Sequence, residues 1–288
     1  MQGSILTTQG EKSPMPTHLK ARAVAEVSGP EAREFLQSLV TNDIAAMKPG
    51  DALWAGLLTP QGKILFDFFV LDTGDDRFLL DVSAAQRDAL LQRMGMYKLR
   101  RQVGIAPRED LAVVDGEVSG AVTVFDDPRL AEMGVRSIVP QEVAVDLPND
   151  VEEHHARRIS LGLPDSDADI GTGKLFPHEA NFDQLGGVSF TKGCYVGQEV
   201  VSRMQHRSTT RNRLLPVTGE KTLESGTEIT GAGKRIGEIF STAGEQGIAL
   251  VRLDRAAAAI EAGEPLMAGD VAIRLVRPSW ARFDVPGA

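Results

Sequence analysis

Ala52-Leu53-Trp54-Ala55-Gly56-Leu57-Leu58-Thr59 and Ile64-Leu65-Phe66-Asp67-Phe68-Phe69-Val70-Leu71 are two apolar runs separated by Pro60-Gln61-Gly62-Lys63. Strand-length runs joined by a short turn containing Pro and Gly predict a β-hairpin. A further strand is predicted over residues 77–82, after Thr73-Gly74-Asp75-Asp76. Upstream, residues 19–27 predict a first strand. Ser28 and Glu31, with Pro30 between them, then take the form of a capping box opening a helix with Phe35, Leu36, Leu39 and Val40 on one face. Downstream, Ser83 and Gln86 repeat that signature before a helix carrying Leu90, Leu91 and Met94 toward Tyr97. The order is strand, helix, hairpin with a further strand, helix, strand. That is a ferredoxin-like, split βαβ arrangement with an extra strand, and the fold class is α+β.

A second, looser set follows: strands over 111–114, 121–125 and 137–139, then a helix over about 151–161. Residues 164–190 carry Pro, Gly and Asp with few periodic apolar positions and predict an ordered loop. From Arg213 onward, short strands broken by glycine (214–217, 228–230, 235–241, 247–253 and 271–276) predict a small β-barrel or sandwich. The expected organisation is a loose polar leader over 1–17, a region over 18–210 divisible into 18–109 and 110–210, and a barrel over 211–288.

Composition narrows the function. The 288 residues hold 40 acids against 31 bases, for a net charge of −9. That balance disfavours general nucleic-acid binding and adhesion to anionic membranes. A single cysteine excludes an internal disulfide. No apolar run approaches the roughly 20 residues of a membrane span, and residues 1–12 lack the basic and apolar regions of a secretory signal. A cytoplasmic protein is expected.

Three patterns resemble sites and fail on mechanism. Gly231-Ala232-Gly233-Lys234-Arg235-Ile236-Gly237 lacks phosphate-loop spacing and leads into a strand, so it predicts a β-turn. Asp165-Ser166-Asp167-Ala168-Asp169 starts like a calcium loop, but Ile170 and Phe176 stand where glycine and glutamate are needed, which leaves a solvated turn. His154 and His155 are adjacent on a helix and cannot face one ligand, so surface histidines are expected.

Lys192-Gly193-Cys194-Tyr195-Val196-Gly197-Gln198-Glu199 is the most unusual stretch of the chain. If residues 195–204 are helical, Cys194 lies at the helix N-terminus, where the dipole and Lys192 both favour the thiolate. The alternative is a buried cysteine acting as a small hydrophobe. Arg203, Arg207, Arg211 and Arg213 form one acid-free basic island, and Arg93, Lys98, Arg100, Arg101 and Arg108 form another. Two such islands in an acidic chain suggest a local anion site, against the alternative of scattered solvated arginines.

The octapeptide matches the KGCYxGQE signature of the YgfZ family of folate-binding proteins, relatives of the glycine-cleavage T-protein. Pro177-His178-Glu179-Ala180-Asn181, Gly187-Val188-Ser189-Phe190-Thr191, Leu39-Val40-Thr41-Asn42-Asp43, Gly62-Lys63-Ile64-Leu65, Arg157-Arg158-Ile159 and Gly162-Leu163-Pro164 are also similar to that family, especially to its mitochondrial iron–sulfur assembly branch. The likeness runs from about residue 18 to the end. It implies a T-protein-like (GcvT-like) folate-binding fold over 18–210, a tetrahydrofolate site, and a role in iron–sulfur cluster assembly or repair. The resemblance implies that Cys194 is the functional thiol, with Lys192 beside it, and polarity and motif membership select Asn42, Asp67, Glu179, Tyr195, Gln198, Glu199 and Arg203 as the expected cofactor lining. Partners would be folate and iron–sulfur carrier or client proteins, with neither nucleic acid nor membrane. T-proteins place two adjacent aspartates after the hairpin, where this chain reads Phe66-Asp67. One carboxylate is missing for proton transfer at the folate nitrogen, so an accessory factor is expected, with folate-dependent aminomethyl transfer as the alternative. A [2Fe–2S] cluster takes four ligands, so Cys194 could hold one only transiently, shared with a partner.

Overall fold

A computed structural model describes residues 15–207 and 210–288. Most of the leader expected over 1–17, and the Arg207 side chain, lie outside the described residues. Strands β1 (Thr17–His18) and β2 (Arg22–Ser28) precede helix α1 (Ala32–Leu39). The hairpin is β3 (Ala52–Leu58) and β4 (Ile64–Gly74), followed by β5 (Arg77–Ser83), α2 (Arg87–Lys98) and β6 (Gly104–Pro107). These strands, β1 excepted, form one antiparallel sheet in the order β3-β4-β5-β2-β6. Without the edge strand β3, that is the split βαβ order expected from the sequence.

Both faces of this sheet are covered, which is why β4 reads as an almost unbroken apolar run. Phe66, Phe68 and Val70 face the side where Phe35, Leu36, Leu90 and Met94 of α1 and α2 pack. The alternate residues Phe69 and Leu71 face a second sheet. That sheet has the order β1-β7-β9-β8, with β7 (Leu111–Asp115), β8 (Thr123–Asp126) and β9 (Val135–Pro140). Its Val113, Phe125 and Ile138 meet the first sheet. Its outer face is covered by α3 (Gln141–Val145) through Ala144.

Helix α4 (Glu152–Ser160) leads into an irregular stretch, and α5 (Gln198–Arg207) leads out of it. The barrel is closed, with β10 (Asn212–Gly219), β11 (Glu228–Gly231), β12 (Lys234–Ala243), β13 (Gln246–Arg252), β14 (Leu266–Ala268) and β15 (Val271–Leu275), and α6 (Leu253–Glu261) lies between β13 and β14. Ala232 and Gly233, at φ of 49° and 69°, make the tight turn between β11 and β12 expected in place of a phosphate loop. Arg213 joins the barrel to the rest: it donates to both Asp183 oxygens at 2.6 and 2.9 Å and to the His178 carbonyl at 2.6 Å.

Several local expectations gave way to tertiary contacts. Neither capping box forms. Glu31 accepts from the Gln102 amide at 2.6 Å, while Ser83 and Gln86 both donate to Asp167 at 2.6 Å. The 165–169 segment is a wedge rather than a solvated turn, because Ser166 and Asp169 are buried and Arg158 pairs with Asp169 at 2.7 Å. His154 and His155 are likewise not surface histidines. The first lies 3.0 Å from Asp115 and the second 3.0 Å from the Thr242 carbonyl. Among the described residues, no helix is long and apolar enough to cross a membrane.

Candidate functional site

The hairpin turn is the seat of the octapeptide. Gly62 and Gly197, at φ of 81° and 83°, face each other there. A Cβ on Gly197 would stand 2.5 Å from the Thr59 carbonyl oxygen and 3.1 Å from the Gly62 Cα. Only glycine permits this approach without strain. Val196 packs toward the helix-covered side of the sheet.

The segment leading into the octapeptide is strapped to the loop after α1. Thr41 Oγ1 donates to the Gly187 carbonyl at 2.6 Å, and the Ser189 amide donates to the Thr41 carbonyl at 3.0 Å. Asn42 Nδ2 donates to the Gly186 and Trp54 carbonyls at 2.6 and 2.8 Å. Lys192 closes the strap, its Nζ donating to the Val40 and Asn42 carbonyls at 2.7 and 2.6 Å and standing 5.3 Å over the Tyr195 ring. Burial pushes the Lys192 amine down to about 8, against the pull of Asp43, and pushes the Tyr195 phenol up to about 12.

Cys194 lies between these two buried anchors and is itself exposed. It is not the small buried hydrophobe of the alternative reading. Nor does it cap a helix, because α5 begins four residues later, at Gln198. The Lys192 amine is spent on backbone carbonyls, so its role is to hold the loop. Gly193 has no neighbour within 4 Å of its Cβ position, so the backbone at the thiol is open.

Asp67 sits elsewhere, in the layer between the two sheets. Trp54 Nε1 and Ser166 Oγ donate to its Oδ2 at 3.0 and 3.1 Å. Burial raises its carboxyl, opposed by Arg22, the two donors and Arg129. Around it runs a buried ionic chain. Asp81 pairs with Arg22 at 2.6 Å and Arg136 at 3.0 Å, and Asp127 pairs with Arg129 at 2.7 Å and Arg136 at 3.5 Å. Burial works against the Asp127 carboxylate, but Arg129 and Arg136 outweigh it and hold the carboxyl at about 2. The guanidiniums of Arg22, Arg129 and Arg136 ring Phe69 at 5.8, 5.0 and 4.6 Å.

The sequence-predicted residues therefore fall into separate groups. Asn42, Lys192 and Tyr195 meet at the strap, and Asn42 reaches Asp67 only through Trp54. Glu179 accepts from the Phe176 amide at 3.0 Å and from Asn212 Nδ2 at 2.9 Å, tying the loop to the barrel. Glu199 and Arg203 are exposed on α5, and Gln198 is half-buried at its start. Of the basic islands, Arg213 and Arg108 are ion-paired within the chain. Sequence reasoning missed Trp54, Ser166, Phe182, Arg129 and Arg136, which carry no local pattern. Trp54 and Phe182 stack at 3.9 Å, and a Cβ on Gly187 would stand 2.7 Å from each ring. Asp67 is 4% exposed, its Oδ2 is bonded to Trp54 and Ser166, and its Oδ1 has no hydrogen bond among the described residues.

Residues 19–114 match the GCVT N-terminal domain family and residues 211–283 the CAF17 C-terminal beta-barrel domain family. The mitochondrial iron–sulfur cluster assembly factor IBA57 of Mus musculus is 30% identical over 303 residues, spanning 91% of this chain and 84% of that protein. The Homo sapiens protein of the same name is 29% identical over 270 residues, covering 81% and 76%. The aminomethyltransferase T of the Bartonella henselae glycine cleavage system superposes with a TM-score of 0.73 at 14% identity, over 92% of this chain and 86% of that one. This last likeness establishes the shared fold. The cytoplasmic location expected from composition is overturned, because these IBA57 relatives are mitochondrial proteins and point to that compartment instead.

Proposed function

Because the chain belongs to the family of IBA57 iron–sulfur cluster assembly factors, we propose that it serves the assembly or repair of iron–sulfur proteins and that Cys194 is the atom through which it acts. The observation that carries this reading is the placement of the chain's one thiol. It is exposed on a short loop pinned on either side by the buried Lys192 and Tyr195. A thiol so presented can ligate iron of a cluster held by another protein. Among the described residues no three metal-ligating side chains come together, so the remaining ligands must come from that partner or from small thiols.

Cys194→Ser in the full chain is expected to fold with an unchanged thermal midpoint and to leave iron–sulfur enzymes inactive in cells that depend on it. Full enzyme activity with the serine variant would remove the thiol from the mechanism.

Tetrahydrofolate binding rests on the family resemblance. The single carboxylate at Phe66-Asp67, where T-proteins place two, disfavours aminomethyl transfer. Calorimetric titration of the full chain with tetrahydrofolate tests both. Saturable heat lost on Asp67→Asn would support a folate role.

A further inference from the structure

We propose that the C-terminal end of α2 is a docking surface for an anionic phospholipid bilayer. Many arginines of the fold are paired: Arg22, Arg33, Arg108, Arg129, Arg136 and Arg213 each lie within ion-pair distance of a carboxylate. Arg93, Lys98, Arg100 and Arg101 stand in no ion pair among the described residues, although the chain carries a net charge of −9. Arg101 packs 5.9 Å over the Phe35 ring and keeps a buried Nη1 with no acceptor. Glu31 is engaged by the Gln102 amide, and the exposed Asp75 and Asp76 occupy the neighbouring turn, where the Asp76 carbonyl accepts from the Gly29 amide at 3.0 Å.

Two apolar side chains project from the same place. Met96 is 57% exposed and Leu99 is 86% exposed. Leu99 also holds φ of 50°, a left-handed backbone that disfavours a branched side chain and suits glycine. The fold thus keeps a strained leucine that buries almost nothing within the chain. Strain of this kind marks functional positions.

A convex apolar tip with unpaired cations set around it matches a headgroup layer, which takes the tip without a shaped socket and offers phosphates at any spacing. The overall negative charge does not cancel this attraction, because salt confines it to within about 8 Å. The strand register sets the orientation. β4 leaves the hairpin at Ile64 and ends at Gly74, which pairs with Arg77, and Arg77 and Gly104 both pair with Ser28. Residues 99–103 therefore lie at the end of the sheet opposite the hairpin that seats the octapeptide. Docking there leaves Cys194 facing away from the bilayer, and the proposal does not depend on the role given to that thiol.

Sedimentation of the full chain with phosphatidylcholine vesicles, with and without phosphatidylglycerol, tests it. Binding is expected only with phosphatidylglycerol and is expected to fall as salt rises. Lys98→Gln with Arg100→Gln should weaken partitioning roughly 30-fold. Leu99→Gly should raise the thermal midpoint by relieving the backbone while weakening vesicle binding, a pair of opposite changes that unfolding does not mimic. Absence of phosphatidylglycerol-dependent sedimentation would overturn the proposal, as would binding that both variants leave intact. Retention of a soluble protein at this surface without vesicle binding would likewise replace the lipid reading.

Discussion

Lys192→Met offers the most searching test of how the site is held. Methionine keeps most of the apolar stem and deletes the amine, leaving the Val40 and Asn42 carbonyls without the donors that stand 2.7 and 2.6 Å away. Each buried acceptor left unpaired costs about 1–3 kcal/mol, and relief of the desolvated ammonium offsets part of the sum, so a net loss of about 2 kcal/mol is expected near neutral pH. The pH dependence is more diagnostic. Burial brings the folded-state amine down to about 8 from 10.5. Between those values the unfolded chain binds the proton that the folded chain has released, so wild-type stability rises with pH across the window. The variant lacks this contribution, and its deficit should widen from pH 8 to pH 10 with a slope below about 1.4 kcal/mol per pH unit, the limit for one proton. Urea denaturation across that range measures it. A deficit that stays flat or shrinks as pH rises would refute the buried-amine account and return Lys192 to the role of a solvated cation beside the thiol.

Other positions make sharper structural claims. Gly197→Ala combines a φ of 83° with a Cβ 2.5 Å from the Thr59 carbonyl oxygen; a loss of about 2–4 kcal/mol is expected, read as a lowered thermal midpoint. Arg213→Ala strands Asp183 and the His178 carbonyl; about 3–5 kcal/mol should be lost, and limited proteolysis should cut between α5 and the barrel sooner than in wild type. Asp67 has a raised carboxyl, so the folded chain binds more protons than the unfolded one just above the usual aspartate range. Stability should therefore fall as pH rises through the folded-state value, and Asp67→Asn should abolish that slope in acid titrations followed by tryptophan fluorescence.

The elements most legible in the sequence were those whose cause is local. Alternation along β4, Pro60 and Gly62 between two apolar runs, and the glycine-broken strands after Arg213 all act within a few residues, and the hairpin, the five-stranded sheet and the barrel followed. The short β14 and helix α6 escaped notice, because Leu266–Ala268 is too brief to show a period and α6 is largely alanine. The capping signatures misled because Ser83 and Gln86 found a better acceptor in Asp167, 84 and 81 residues away.

At the site the division is sharper. Sequence alone singled out Cys194 as the one thiol and the octapeptide as the place to look, since residue identity and glycine content need no partners to be read. Tertiary structure decided what surrounds them. Lys192 turned from a helper of the thiolate into a clasp on Val40 and Asn42, and Asp67 took its place between the sheets as the acceptor of Trp54 and Ser166. A charged side chain takes its role from the donors and acceptors that folding brings to it, and here those lie from 13 to more than 150 residues away along the chain.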